Sequence, residues 1–449
     1  MRPDRLQCDG SPEREGQRRP QKGAEVGDDT LDLVIVGAGP VGLVAALEAA
    51  AAGLRFVLLE RNTSPWHHSR AIGIHPPSMR RLHQTAPEVV EALVEAGIRI
   101  RRGHGFGRHR ASGVGAVRNT DRRSASPRLI GSLDFGLLGQ PFDFILTLEQ
   151  WRTESILEDA LEARAPGALR RGVEVTGIRR EGAVSTVEAM SVETNEDASG
   201  HHTHAVEERG PAAQATFRTA LAVACDGKGS RLRAWEGIGF EGGGYGARYM
   251  MGDFPGESRP GTPAKENDAL LFLAREGLVE SFPLPGAEDT GPVRRWVAEI
   301  DARCQVSPGG LVEAVDRRCG VRLEAETCRG FSTFEAERFM ADTFVGNGVV
   351  LVGDAAHVVS PIGGQGMNLG WINAGELVDT LVAGGDLRTW EARARRRARK
   401  ATRRAEQNML LGNRVGTGWV AAARESLLRL TLSTPFAGVL ARRFSMGGL

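Results

Sequence analysis

A chain of 449 residues exceeds what one ordinary hydrophobic core organises, so two domains are expected. Its 41% apolar and 25% charged content is that of a globular protein, and 57 basic residues against 56 acidic ones leave a net charge of +1. That balance argues against a general affinity for nucleic acid or anionic membrane. The five cysteines (Cys8, Cys225, Cys304, Cys319, Cys328) are odd in number and contain no CxxC pair. They suggest neither a disulfide framework nor a zinc site, and they fit a reducing cytoplasm.

Residues 1–29 are charged, rich in Gly and Pro, and without apolar periodicity or an apolar targeting stretch, which predicts a disordered leader. "LDLVIVGAGPVGLVAALEAAAAGLRFVLLERN" then reads as a buried strand (Leu31–Val36), a glycine turn, an Ala-rich helix and a second strand (Arg55–Glu60), a βαβ unit. Residues 101–139 are Arg/Gly-rich and predict loops with one or two strands. "LTLEQWRTESILEDALEARA" has helical spacing, with Trp151, Ile156, Leu157, Ala160 and Leu161 sharing a face. "GVEVTGIRREGAVSTVEAMSVET" and "QATFRTALAVACDG" predict an antiparallel meander interrupted by a polar insertion. Between about 240 and 340, strands separated by Pro/Gly turns and a helical piece near Gly310–Cys319 point to an inserted sheet domain. "GNGVVLVGDAAH" returns to a buried strand, and the chain after Met367 reads as helical. The fold class expected is α/β, a Rossmann-like domain with an inserted β-sheet domain and a helical C-terminal region. The expected boundaries are 30–110, 140–239 and 340–390 for the discontinuous first domain, and 240–339 with part of 111–139 for the sheet domain. Helices are expected over 391–449.

Three segments carry chemistry. Gly37-Ala38-Gly39-Pro40-Val41-Gly42 is a GxGxxG between strand and helix, with Glu60 ending the next strand. Such glycines allow a tight turn and let backbone amides approach a pyrophosphate, while the acid accepts ribose hydroxyls. This pattern by itself does not separate FAD from NAD. "ACDGKGSRLR" places Asp226 and Arg233 around a glycine turn, where they pair with each other or position phosphate and ribose groups. "LVGDAAHVVSPIGGQGMNLG" puts Asp354 after a buried strand, follows it with Gly363, Gly364 and Gly366, and opens a helix near Met367. The positive end of that helix suits the negative charge of a reduced flavin.

In this order and at these separations, "VGAGPVGL", "CDGKGSRLR" and "GDAAHVVSPIGGQGMN" resemble the dinucleotide, DG and GD motifs of the class A single-component flavoprotein monooxygenases, the family of para-hydroxybenzoate hydroxylase. "SRAIGIHPPSMRRL" and "LEQWRTESIL" resemble two further segments of that family, and the likeness runs from about Leu31 to about residue 400. It implies FAD as cofactor, NADH or NADPH as co-substrate, and oxygenation of a small aromatic or hydrophobic compound by O2 through a flavin C4a-hydroperoxide. Gly37, Gly39, Pro40, Val41 and Gly42 would lie against the pyrophosphate, Glu60 and Arg61 at the adenosine ribose, and Arg70 and Gln150 near the phosphates and ribityl chain. Gly353 and Asp354 would meet the ribityl or pyrophosphate region. Gly364, Gly366, Met367 and Asn368 would line the pyrimidine edge, with Asp226 and Arg233 serving both cofactors. Pro361 would sit beside the flavin where oxygen reacts. The halogenase-type WxWxIP signature is absent, and no thioredoxin-like C-terminal domain is expected.

The substrate pocket is expected under the inserted sheet, with Phe272, Phe282 and Trp296 as candidate wall residues or as ordinary sheet packing. His201, His202 and His204 form a group able to hold a metal, but their polar setting reads as a solvated loop, so no metal is expected. His357 is a candidate proton relay or a satisfied loop histidine. The basic run 388–404 reads as a solvated helix face rather than an RNA or lipid contact. The amphipathic segment 419–444 packs on the FAD domain or at a dimer contact, or gives weak membrane contact. A cytoplasmic monomer or homodimer is expected. A prenyl-chain reductase of the same fold and a non-catalytic, membrane-associated flavin binder stand as the competing functions.

Overall fold

The computed structural model describes residues 30–65, 71–107, 127–192, 195–196, 202–203, 213–256, 264–274, 276–286, 291–301, 303–412 and 437–448. Arg70, His201, His204 and most of the amphipathic segment 419–444 lie outside them. The helices are α1 (Pro40–Ala51), α2 (Pro76–Thr85), α3 (Pro87–Ala96), α4 (Gln150–Arg164), α5 (Arg231–Trp235), α6 (Pro308–Cys319), α7 (Gln365–Val382), α8 (Leu387–Gly412) and α9 (Ala437–Phe444).

The first sheet is built on the apolar strand Leu31–Val36, which pairs in parallel with Phe56–Glu60 on one side and with Gln214–Ala224 on the other. Leu169–Arg171 extends it beyond Phe56–Glu60. The strand Gln214–Ala224 does two jobs. Its last residues pair in parallel with Val349–Leu351, while its first half pairs antiparallel with Val184–Ser191, which continues to Val173–Glu181. The predicted meander is therefore an extension of the parallel sheet rather than a separate layer. Being covered on both faces, the central strand is apolar throughout: Val34 and Ile35 are fully buried among Leu43, Leu47, Leu58 and Trp371.

The second sheet has eight strands in the order His357–Val358, Arg329–Ala341, Phe240–Pro255, Val293–Glu299, Gly277–Leu284, Ala269–Ala274, Arg102–Gly107 and Arg128–Asp134. Arg102–Gly107, assigned by sequence to the first domain's 30–110 segment, here pairs in parallel with Ala269–Ala274. One face of this sheet is closed by α6, whose Leu311, Ala314 and Val315 pack on Met250, Phe254, Val279 and Ala298. Phe272 and Trp296 belong to this closed face, where Phe272 stacks between Phe106 and Trp296 with centroids 5.0 and 6.1 Å apart. They form apolar sheet-to-helix packing, the second of the two readings. Phe282 packs instead with Ile100, Phe135 and Phe444 in a satellite cluster.

The basic run lies on α8, where Arg393, Arg396, Arg399 and Arg403 are exposed and Arg395 and Arg397 are partly buried. Ala394, Ala398, Ala401 and Ala405 form its buried stripe, and Arg397 grips Glu376 of α7 through two 2.7 Å bonds. Arg395 donates to the Ala341 carbonyl at 2.5 Å. No helix among the described residues is long and apolar enough to cross a membrane.

Helices α1 and α7 cross at Val41. A Cβ on Gly370 would lie 2.4 Å from Val41 Cγ2, and one on Gly353 3.1 Å from it. The valine of the first turn thus fills a notch made by two glycines. Gly370→Ala overpacks that notch and is expected to lower the unfolding free energy by about 1–3 kcal/mol in a denaturant titration.

Candidate functional site

Register decides where the three sequence segments meet. Val36 stands opposite Leu59 and Ala224, and Ala224 stands opposite Leu351. The next residues of all four strands therefore emerge together at one carboxyl edge: Gly37, Glu60, Cys225-Asp226 and Val352-Gly353-Asp354. Open α/β sheets place ligands at this edge.

The glycines of the first turn differ in what they serve. Gly37 has a φ of +98° and a side chain there would meet the Cys225 carbonyl at 2.6 Å. A Cβ on Gly42 would lie 1.9 Å from the Gly37 carbonyl. Both are required by the protein's own packing. A Cβ on Gly39 meets nothing within 4 Å, so the chain's own packing leaves that position open. Gly39 is also the N-cap of α1, with Pro40 following and without a side-chain cap. Glu60 accepts from Ala38 N–H at 2.8 Å and from Asn62 N–H at 2.9 Å, fixing the turn against the second strand.

Helices α4 and α7 likewise start without a side-chain cap, at Glu149 and Gly364. Gln150 accepts from Ala71 N–H at 3.4 Å and donates to Glu154 at 2.8 Å. Burial raises the Glu154 carboxyl to about 7. Asn368 receives His75 N–H at 2.8 Å and donates to the Gly73 and Gly364 carbonyls, each at 2.8 Å. Residues 71–75 thus tie the starts of α4 and α7 together. Uncapped N-termini leave amides free for an anion.

Asp354 is exposed, and desolvation by the surrounding protein raises its carboxyl to about 6. Its Oδ1 lies 3.7 Å from where a Cβ on Gly366 would be, at the start of α7. Met367 is half-buried, and Pro361 is exposed, with its carbonyl accepting from Gly364 N–H at 2.9 Å. Arg61 is exposed beside Glu60.

The DG segment is more structural than its sequence suggests. Asp226 accepts from Arg231 N–H at 2.8 Å, and burial raises its pKa. Arg233 donates to the Ala355 carbonyl at 3.0 Å and the Lys228 carbonyl at 2.8 Å, with its guanidinium 3.7 Å over Phe240. Arg233 thus joins the DG turn to the GD loop and is largely committed to protein partners. His357 is buried with Nε2 3.1 Å from Asn373 Nδ2, and burial lowers its pKa to about 4. Its Nε2 meets the Asn373 amide, while its Nδ1 has no partner among the described residues. No cluster of three or more metal-ligating side chains occurs among the described residues.

Several buried polar atoms at this edge lack a partner among the described residues: Asp226 Oδ1, His75 Nδ1 and both amide atoms of Gln365. Each such orphan costs about 1–3 kcal/mol unless a ligand or water meets it. With the open side of Gly39, three uncapped helix starts and an accessible carboxylate, the donor set fits a dinucleotide with phosphates and hydroxyls. His75 and Glu154 escaped the sequence reading. A histidine directly before Pro76-Pro77 at a helix start is a usable signal for the first, and the buried side of α4 for the second.

A family model described as FAD binding domain matches residues 30–405. The 12-dehydrotetracycline 5-monooxygenase/anhydrotetracycline 6-monooxygenase of Streptomyces rimosus is 28% identical over 395 residues, covering 79% of this chain and 63% of the relative. An uncharacterized aromatic compound monooxygenase of Bacillus subtilis, YhjG, is 28% identical over 355 residues, covering 78% and 61%. The chain therefore spans less than two thirds of the length of these curated relatives. The crystal structure of p-nitrophenol 4-monooxygenase PnpA from Pseudomonas putida superposes with a TM-score of 0.72 at 19% identity over 93% of this chain and 98% of that one, a likeness of fold.

Asn368→Ala removes three side-chain hydrogen bonds, two that join Gly73 and His75 to α7 and one to the Gly364 carbonyl at the start of α7. The expected result is a loss of about 1–3 kcal/mol for each group left unsatisfied, read by chemical denaturation, with Asn368→Asp keeping the His75 contact and losing less.

Proposed function

We propose that this chain, which belongs to the FAD-binding domain family, is an FAD-dependent monooxygenase that uses NADH or NADPH and dioxygen to oxygenate a small aromatic or hydrophobic substrate. The observation that carries this reading is the convergence of three uncapped helix starts and the open side of Gly39 at one register-aligned edge. The named activities of the 28%-identical relatives support the reaction class.

In this reading the free amides after Gly39, with Gly37, Pro40, Val41 and Gly42 shaping the turn, hold the pyrophosphate. Glu60 and Arg61 face the adenosine ribose, Gln150 and Arg70 the phosphates and ribityl chain, and Gly353 and Asp354 the ribityl hydroxyls. Asp226 and Arg233 brace the junction used by both cofactors. When bound, FAD supplies the redox chemistry, passing electrons from the nicotinamide to dioxygen. The chain's residues supply the surroundings. The amides opening α7, from Gly364 through Gly366, Met367 and Asn368, stabilise negative charge on the ring edge by up to ~2 kcal/mol. Pro361 and Ile362 would border the bound ring, and the face of the second sheet that packs on Ile362 would keep water from it. Cys225, Cys304, Cys319 and Cys328 are free thiols, which supports a cytoplasmic setting. The chain would act as a monomer or homodimer.

The test is FAD uptake followed by NAD(P)H oxidation, oxygen uptake and product analysis with a panel of phenols. Substrate-stimulated oxygen uptake with a hydroxylated product is expected. Oxidation of NAD(P)H without oxygen incorporation would instead favour a reductase of the same fold. Gly39→Ala should leave the melting temperature of the FAD-free protein unchanged while weakening FAD binding at least ~10-fold, about 1.4 kcal/mol. Gly42→Ala should instead lower stability, because its Cβ collides with the Gly37 carbonyl.

A further inference from the structure

The strand Gly277–Leu284 has two unlike faces. Val279 and Ser281 turn to the side closed by α6, and Leu278, Glu280 and Phe282 to the other. Across that second face Glu280 stands opposite Leu271 and Val297, Val297 opposite Met251, and Met251 opposite Ser332. Tyr249, Met251 and Val297 of this face pack in one cluster with Ile362 and with Met409 of α8. The row therefore lies against the Pro361–Gly364 loop that leads into α7.

Glu280 is out of character in such a row. Among the described residues its carboxylate has neither a hydrogen bond nor an ion pair, yet it is half-buried and thus reachable. Desolvation alone raises it to about 7. Three strands away the buried Ser332 hydroxyl also lacks a partner among the described residues. The charged neighbours on this face are otherwise engaged. Asp253 holds Arg295 through bonds of 2.7 and 2.8 Å, and Glu299 accepts from Leu278 N–H at 3.3 Å. Tyr249, which feels both Glu280 and Glu299, is raised by burial and remains a neutral phenol. The loop and α8 add the apolar Ile362 and Met409. An unpaired carboxylate at such a place costs stability that a leucine would not. It is the kind of perturbed acid found at functional sites.

We propose that Glu280 accepts the hydroxyl proton of a neutral phenolic substrate bound between this row and the Pro361–Gly364 loop. The substrate O–H bond breaks, a Glu280 Oε–H bond forms, and the electron pair stays on the substrate oxygen as a phenolate, enriching the ring carbon that is oxygenated. The assignment rests on the monooxygenase reading and narrows its substrate class to hydroxylated aromatics.

The experiment uses the FAD-loaded full chain, with phenol and its methyl ether, anisole, as probes, and binding read from the flavin absorbance. Wild type should bind phenol more tightly above pH about 7 than below it, since the carboxylate form accepts the O–H bond, and anisole affinity should not vary with pH. Glu280→Gln should weaken phenol binding ~10-fold and abolish its pH dependence, with Glu280→Asp restoring part of both. In turnover Glu280→Gln should slow phenol oxygenation by ~10²–10⁴-fold while FAD uptake and the KM for the nicotinamide cofactor stay at wild-type values. Equal phenol affinity and pH profile in Glu280→Gln, or no phenol binding by wild type, overturns the assignment. A wild-type protein that binds phenol through Glu280 but yields no oxygenated product overturns the monooxygenase reading instead.

Discussion

The parallel register of four strand ends, Leu59, Val36, Ala224 and Leu351 in one line, is the constraint on which the rest depends. A one-residue slip in any pair would turn that strand's buried side chains to the opposite face, so the apolar core on both sides of the sheet enforces the alignment. Once aligned, the turns that follow have no freedom to diverge. Gly37 lies against the Cys225 carbonyl, Gly42 against Gly37, and Val41 against Gly353 and Gly370. Segments far apart in the chain thereby become one surface.

That surface is costly to build. Helices α1, α4 and α7 begin without side-chain caps, and the neighbouring Gln365, His75 and Asp226 carry polar atoms unmet among the described residues. Free-standing, each such group subtracts from stability. What offsets the cost is packing placed just behind the edge: Asn368 bound to residues 73–75 and 364, and Arg233 clamped between two carbonyls. The edge is thus braced by residues that spend their hydrogen bonds on protein, while the amides at the starts of α1, α4 and α7 have no side-chain cap.

The second sheet divides its labour by face. The side against α6 is a dry core in which Phe272 and Trp296 stack. The opposite side carries Tyr249, Met251 and Val297 toward Ile362, with the Glu280 carboxylate, unpaired among the described residues, in the same row. Strand alternation makes this separation automatic, since neighbours in sequence point to opposite faces.

The amino-acid sequence alone determined the elements whose signal is local. The strand-turn-helix of residues 31–51, the meander strands of residues 173–224, the helical piece near Gly310–Cys319 and the helix that carries the basic run 388–404 all follow from local pattern and composition. The three glycine-rich segments were legible for the same reason, because glycine is needed where backbones approach. Which glycine the fold itself requires and which it leaves open was decided by tertiary contacts, as Gly42 and Gly39 demonstrate. The same holds for the structural duty of Asn368 and Arg233, for the side of the sheet to which Phe272, Trp296 and Glu280 turn, and for the pairing of residues 102–107 with 269–274. These depend on register and on partners distant in the chain, and no local period encodes either.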